Sequence, residues 1–415
     1  MSRLERFRSE MAAGGSVTEN APDERPTVAA MVAGLGAWAA LFVILAFVDA
    51  WILVFVVGVL VSVLLHEVGH FWTARRSGMR VTQFFMGFGP RVWSTHRNGV
   101  EYGLRAIPLG AFVRIIGMNS LDDVPAEDEP YTYRQATFPR RLLVITAGSL
   151  MHLLIAVVTI VSVYAVAGRV EEAGRVTVYG VSPSTPAAAA GIQPGDIVTS
   201  VDGTAVTDAA TFRSVLGGIA PGTTVEIGLR RGTQELQTSA TLTQSEFAAA
   251  GEVRGFLGVS SDSIERVDQS VGAAFVDGPR DLVTGLGQAT VGILKVLNPV
   301  NVLGHLVGSN DDPTSRPTTL IGAARMSDDY GAADGWAGLL SLLAALNVSV
   351  GVFNMFPLLP LDGGHAAIAI YERLRERGGR RHFADVSRLM PVVTLTVALL
   401  AFMFLTGLYL DTVAG

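Results

Sequence analysis

The chain contains no cysteine. Disulfides, zinc ribbons, iron–sulfur clusters and thiol nucleophiles are therefore excluded. Any transition-metal site has to be built from histidine, aspartate or glutamate. Charge is scarce as well: 16% of the 415 residues are Asp, Glu, Lys or Arg, against about 25% in soluble domains. That scarcity, with 49% hydrophobic residues and a mean hydropathy of +0.41, excludes a disordered chain and argues against an ordinary soluble enzyme. Lysine is nearly missing, Lys295 being the only one, which we read as composition bias. The net charge of −6 gives no sign of a nucleic-acid partner.

What is abundant is apolar sequence in long runs. Residues 1–27 are polar, carry Pro22 and Pro26, and read as a disordered cytoplasmic tail. From Thr27 to Trp72 the chain is almost wholly apolar, with Asp49 the one charge before His66-Glu67. One spanning helix needs about 20 residues, so the spacing predicts two helices, 28–48 and 51–73, turning at Asp49. A single long tilted helix behind a surface segment is the competing reading. Further spans are expected at 142–167, 336–361 and 391–410. Arginines cluster at 75–80, at 140–141 and in the basic loop 371–388. The positive-inside rule puts all three clusters on the cytoplasmic face, which leaves 168–335 outside.

Two stretches read as soluble structure. Within 81–140, strands are expected at Arg91–Thr95 and Glu101–Ile107, joined by Asn98-Gly99, a strong hairpin signal. This β region follows Gly87-Phe88-Gly89-Pro90 and lies between two spans. Residues 176–245 read as a compact α/β module. Residues 246–335 read as a linker whose apolar part, 279–307, is expected to lie as an amphipathic helix on the membrane surface. A further span is the alternative there.

The sharpest chemical signal is His66-Glu67-Val68-Gly69-His70. Histidines at i and i+4 share a helix face and can ligate one metal, with the glutamate placed as general base. A catalytic zinc needs a third protein ligand and an open position for water. The metzincin continuation is missing, because Thr73 and Arg76 stand where its Gly and His belong. Glu101 is one carboxylate that could serve, although it reads as a solvated strand residue. The better candidate is Asp362, in Asn354-Met355-Phe356-Pro357-Leu358-Leu359-Pro360-Leu361-Asp362-Gly363-Gly364-His365. Two prolines there would break the helix, and irregular backbone at membrane depth is tolerated where it lines a cavity. An acid at that depth is costly without a cation. His365 reads as a neighbour of the site more than a ligand.

These elements together resemble the site-2 protease family of intramembrane zinc metalloproteases, in its bacterial single-PDZ form similar to regulator-of-sigma-factor proteases. The resemblance rests on HEVGH at 66–70, GFGP at 87–90, YGLRAIPLGAFVRIIGM at 102–118, the insert and NMFPLLPLDGGH at 354–365. It implies that His66, His70 and Asp362 bind one zinc ion per chain and that Glu67 is the base. It implies that Asn354 holds substrate, with Asn347 a weaker candidate. Gly87 and Gly89 would belong to a membrane-inserted loop that meets substrate, and the strands after them to a substrate-pairing edge. The family has Ala-Gly-Pro and a later Asn at the start of the next helix; here the stretch is Ala147-Gly148-Ser149-Leu150-Met151-His152. The insert resembles a PDZ domain through Val181–Val198 with Gly195-Asp196 and through Val201-Asp202-Gly203.

The fold class implied is a polytopic α-helical membrane protein. It has four core transmembrane helices plus an extra N-terminal one, a cytoplasmic membrane-associated β-hairpin region and an extracytoplasmic α/β PDZ domain. The resemblance implies a plasma-membrane protease with its site toward the cytoplasm. It would cut single-span membrane proteins such as anti-sigma factors, embedded in membrane lipid, after an upstream site-1-type protease has acted. Two other readings compete: a catalytically silent PDZ-bearing membrane scaffold, and a zincin peptidase acting on surface peptides such as signal-peptide remnants. A transporter is disfavoured, since no internal repeat is visible.

Overall fold

The computed structural model describes residues 27–118, 124–245, 253–310, 312–376 and 381–413. The expected tail falls almost wholly outside them. Among the described residues five helices are long and apolar enough to cross a membrane. They are α1 (Val28–Val48), α2 (Ala50–Arg76), α3 (Phe138–Ala167), and two later helices introduced below. Asp49 separates the first two by capping. Its φ of −166° is extended, and its carboxylate accepts from the backbone of Trp51 at 2.6 Å and Ile52 at 3.0 Å. A cap satisfies amide donors that a helix start leaves without partners.

The chain divides into two units. One holds residues 1–163 and 272–415, the other Tyr164–Val271. In the first, β1 (Val81–Arg97) and β2 (Val100–Ile115) form the β region. Both strands are far longer than the sequence suggested, and their register is unusual. Phe84 pairs with Val113 on one side and Tyr102 on the other, while Ser94 pairs with Gly103. The first half of β1 is thus internal and residues 111–115 form an outer edge. Gly87 and Gly89 have φ of 87° and 82°. They let β1 bulge where register shifts accumulate, so GFGP is part of a strand and not a separate loop. Glu101 is buried and not solvated, paired to Arg91 at 2.9 Å and to Gln83 at 3.1 Å. Helix α1 packs closely on this sheet. A Cβ on Gly34 would stand 2.2 Å from Val92 Cγ2, and Trp38 Nε1 donates to the Arg105 carbonyl at 2.9 Å.

The second unit carries a sheet and two short helices. Its strands are β3 (Arg169–Val181), β4 (Ile197–Val201), β5 (Thr204–Ala205), β6 (Thr224–Arg231), β7 (Gln234–Thr241), β8 (Thr243–Gln244), β9 (Gly255–Phe256) and β10 (Val259–Val267). The helices are α4 (Pro186–Ala189) and α5 (Ala209–Gly217). The main sheet runs β10-β3-β4-β6-β7. The expected boundary of 176–245 was too narrow, because β10 lies in what read as linker yet pairs along β3, Val259 with Val181 and Val267 with Arg169. A fragment cut at 245 would lose an edge strand. The core gathers Val176, Val198, Phe212 and Ile227.

In this core Asp196 is buried and bonded to Arg231 at 2.7 Å and 2.8 Å and to the Gln193 backbone N–H at 2.9 Å. The Arg231 guanidinium holds its carboxyl below the usual range. A lowered folded pKa stabilises above the unfolded value, and that contribution fades as pH falls through the folded one. Hydrogen-exchange protection of Ile197–Val201, corrected for intrinsic rates, should therefore decline below about pH 4. In Asp196→Asn protection should be weaker at neutral pH and show no such decline. An identical decline in both proteins would assign the effect elsewhere.

The first unit resumes with α6 (Val271–Val296) and α7 (Pro299–Leu306), so the apolar 279–307 stretch is two helices. Asn298 divides them, its side chain accepting from the Val300 backbone at 3.0 Å. Then come α8 (Leu320–Asn354), α9 (Asp362–Arg375) and α10 (Met390–Thr412). Helix α8 breaks at Gly335, whose φ of 58° leaves the helical region, and resumes at Trp336, which packs edge-on against Trp51 at 5.4 Å. It stops at Asn354, short of the expected 361, since Pro357 and Pro360 have no N–H to continue it. The start of the basic 371–388 stretch is the end of α9 and not loop. Arg141 of α3 and Glu372 of α9 form a buried ion pair, and Arg141 also lies 4.9 Å above the Tyr133 ring. Removing one partner of a buried pair costs about 3–5 kcal/mol. Glu372→Gln should lower unfolding stability by that order, read as the shift in a denaturant midpoint.

Candidate metal centre

The two histidines of the α2 motif point the same way because one helical turn separates them. His66 and His70 are both buried, and their Nε2 atoms are 3.1 Å apart. Asp362, in the first turn of α9, brings Oδ2 to 3.2 Å from His70 Nε2 and 3.5 Å from His66 Nε2. Three donors bound tetrahedrally at zinc distances of about 2.0–2.1 Å would stand about 3.3 Å apart. The spacing therefore fits one small tetrahedral cation. Asp362 Oδ2 is buried with no hydrogen-bond donor among the described residues. A carboxylate oxygen left so is costly unless a cation meets it. His70 Nδ1 bonds to the Val144 carbonyl at 2.7 Å. That contact places the proton on Nδ1 and leaves Nε2 free to ligate.

Glycine is what lets the elements converge. A Cβ on Gly148 of α3 would lie 2.4 Å from His70 Nε2 and 2.6 Å from His66 Nε2. A Cβ on Gly69 would lie 2.8 Å from the Ala147 carbonyl. Beneath Asp362, a Cβ on Gly363 would meet the Met355 carbonyl at 2.2 Å, and one on Gly364 the Leu359 nitrogen at 2.6 Å. Thus α2, α3 and the Pro357–Asp362 turn all approach at backbone distance.

Glu67 Oε1 lies 4.0 Å from His66 Nε2. It opens on a cavity of about 110 Å³ whose walls include Ala111, Phe112 and Val113 of the β2 edge, Pro360, and His365. His365 is therefore beside the site and outside the three-donor group. Glu101 does not line the cavity and is committed to Arg91. Gly87 and Gly89 do not line it either, being occupied with the bulge, but the intervening Phe88 stacks on Phe112 at 6.2 Å. Asn354 ends α8, half-buried.

Asn347, expected as a weaker substrate contact, is buried, and both its amide donors and its oxygen are bonded within the protein. Its Oδ1 accepts from His152 Nδ1 at 2.8 Å, and its Nδ2 donates to Ser62 Oγ at 3.1 Å and the Leu343 carbonyl at 2.8 Å. It ties α2, α3 and α8 together. His152, 5.0 Å from the His66 ring, packs behind the site through this bond. Sequence reasoning passed over Gly148. The three small residues Ala147-Gly148-Ser149 amid large apolar ones were the available signal.

The family model for "Peptidase family M50" matches residues 54–398. The chain belongs to peptidase family M50. It is similar to zinc metalloprotease Rip1 of Mycolicibacterium smegmatis, with 34% identity over 86% of this chain and 95% of that protein. Zinc metalloprotease Rip1 of Mycobacterium tuberculosis is 32% identical over the same shares. The chain is thus a site-2-type zinc metalloprotease, and a multi-pass membrane protein. Among solved structures, the PDZ domain of an SdrC-like protein from Listeria monocytogenes matches 21% of this chain and 87% of its own, at 25% identity and a TM-score of 0.19.

Proposed function

We propose that the protease hydrolyses peptide bonds within or near the spans of single-span membrane proteins, with His66, His70 and Asp362 holding the zinc and Glu67 as general base. The observation that carries this is the convergence of three donor atoms at 3.1–3.5 Å beside Glu67, facing the outer strand edge at 111–115. Zinc held by these residues supplies Lewis acidity and acidifies water to a pKa of about 7. Glu67 takes the proton of the attacking water and returns it to the leaving amine. A helical substrate hides its carbonyls in its own hydrogen bonds, so it has to be unwound. The 111–115 edge can pair with such a segment as an added strand, and Asn354 at the end of α8 supports it there.

The arginine clusters favour a site near the cytoplasmic face of the plasma membrane with the 164–271 unit outside. In this reading that unit is a PDZ module that captures peptide or excludes substrates with bulky external domains. An anti-sigma factor already trimmed by another protease is a substrate of the expected kind.

The test is Asp362→Asn. Zinc affinity should fall by more than the roughly 10–100-fold lost when an outer-shell partner is removed, and cleavage of a single-span reporter should fall with it. Stoichiometric zinc in the variant would pass the third position to His365 and overturn the assignment.

A further inference from the structure

A second cavity borders the same turn as the metal site, through Pro357 and Leu359 where the metal-site cavity meets Pro360 and Asp362. It measures about 660 Å³, and Pro357, Leu359 and Gly364 form the wall it has against that turn. Its remaining walls come from α9 and from the segment leading into α10. They are of two kinds. Some are apolar, Ile368, Leu389 and Val392 among them. Others are polar, namely Arg375, His382 and Arg388, with Asp385 the one acid among the described lining residues.

Arg388 Nε is bonded to Asp385 at 3.0 Å. Arg375 has no acidic partner among the described residues. The lining thus keeps a surplus of positive charge. Its position adds a second constraint. Leu389 and Val392 flank the start of the α10 span at Met390, so the cations stand where a bilayer's headgroups lie. Past the cavity α10 exposes Val392 and Leu395, one turn apart, to the surroundings. A cavity of this volume suits a small organic ligand, and basic pockets between spans at the interface suit anionic headgroups.

We propose that this cavity seats the phosphate headgroup of an anionic phospholipid, with an acyl chain running along α10 past Val392 and Leu395. The ligand is an amphiphile because cationic and apolar walls meet at the end of a span. A free phosphate ester would satisfy only the arginines.

The test uses the zinc-loaded full chain extracted from vesicles of equal phosphatidylglycerol and phosphatidylcholine, followed by native mass spectrometry through a delipidation series. One phosphatidylglycerol should outlast every phosphatidylcholine. Arg375→Gln with Arg388→Gln should weaken its retention roughly tenfold or more, at about 1 kcal/mol per arginine. The same pair changed to lysine should keep it. Ala367→Trp, which fills the cavity and leaves both arginines in place, should also expel it. Unchanged zinc content reports that each variant is folded. Equal retention of the two lipids, or retention unaffected by both the glutamine pair and Ala367→Trp, would overturn the proposal. So would displacement by glycerol phosphate at concentrations where the lipid itself competes no better.

Discussion

Gly148→Ala is expected to strip the protease of zinc and of activity together. The added methyl would stand 2.4 Å from one histidine nitrogen and 2.6 Å from the other, well inside contact distance. Helix α3 is also packed against α8, where a Cβ on Gly351 would stand 3.2 Å from His152 Cβ and 3.4 Å from the Ser149 carbonyl, so its backbone cannot shift freely. The imidazoles have to move instead, and the Val144 bond that orients His70 moves with them. Misplacing reacting groups by about 1 Å costs on the order of 100-fold, and here two ligands are displaced at once. Zinc measured after dialysis against a weak chelator should fall well below one per chain, while far-ultraviolet circular dichroism stays helical. Full zinc occupancy in Gly148→Ala would mean that the histidines do not share one cation.

Glu67→Gln is expected to do the opposite to the metal and the same to the activity. The amide is nearly isosteric and Glu67 is outside the three-donor group, so zinc should remain near one per chain. Cleavage of a single-span reporter should drop by about 10²–10⁴-fold, the usual share of a general base. Together the two variants separate holding the metal from moving the proton. Measurable wild-type turnover in Glu67→Gln would assign the base elsewhere; among the described residues Asp362 is the one other carboxylate lining that cavity.

Much of this site was legible in the sequence because its donors sit in two short, distinctive stretches. Helical spacing alone puts His66 and His70 on one face, and an aspartate among prolines at the end of an apolar run asks for a cation. The five long helices follow from run length, with Asp49 readable as a divider. What was not legible depends on partners distant in sequence. The bond to the Asn347 oxygen comes from His152, 195 residues earlier, and no local pattern announces it. Glu101 looked solvated because a strand pattern does not reveal a second strand on its other side. The β10 strand was hidden in a stretch that read as linker, since its pairing with β3 spans about 90 residues. Gly148 matters through an absent side chain, which no residue-type pattern announces.

The metal-site histidines do not sit halfway along their helix. His66 lies sixteen residues from Ala50 and ten from Arg76, about 24 Å and 15 Å along the axis. A substrate span severed at that level would be divided unequally. The longer fragment keeps close to the ~17–20 apolar residues that hold a segment in a bilayer, whereas the shorter one falls far below that length. On the proposed activity, the short product would leave the membrane and the long one would stay anchored. Which half is freed would then follow from where along α2 the first histidine stands.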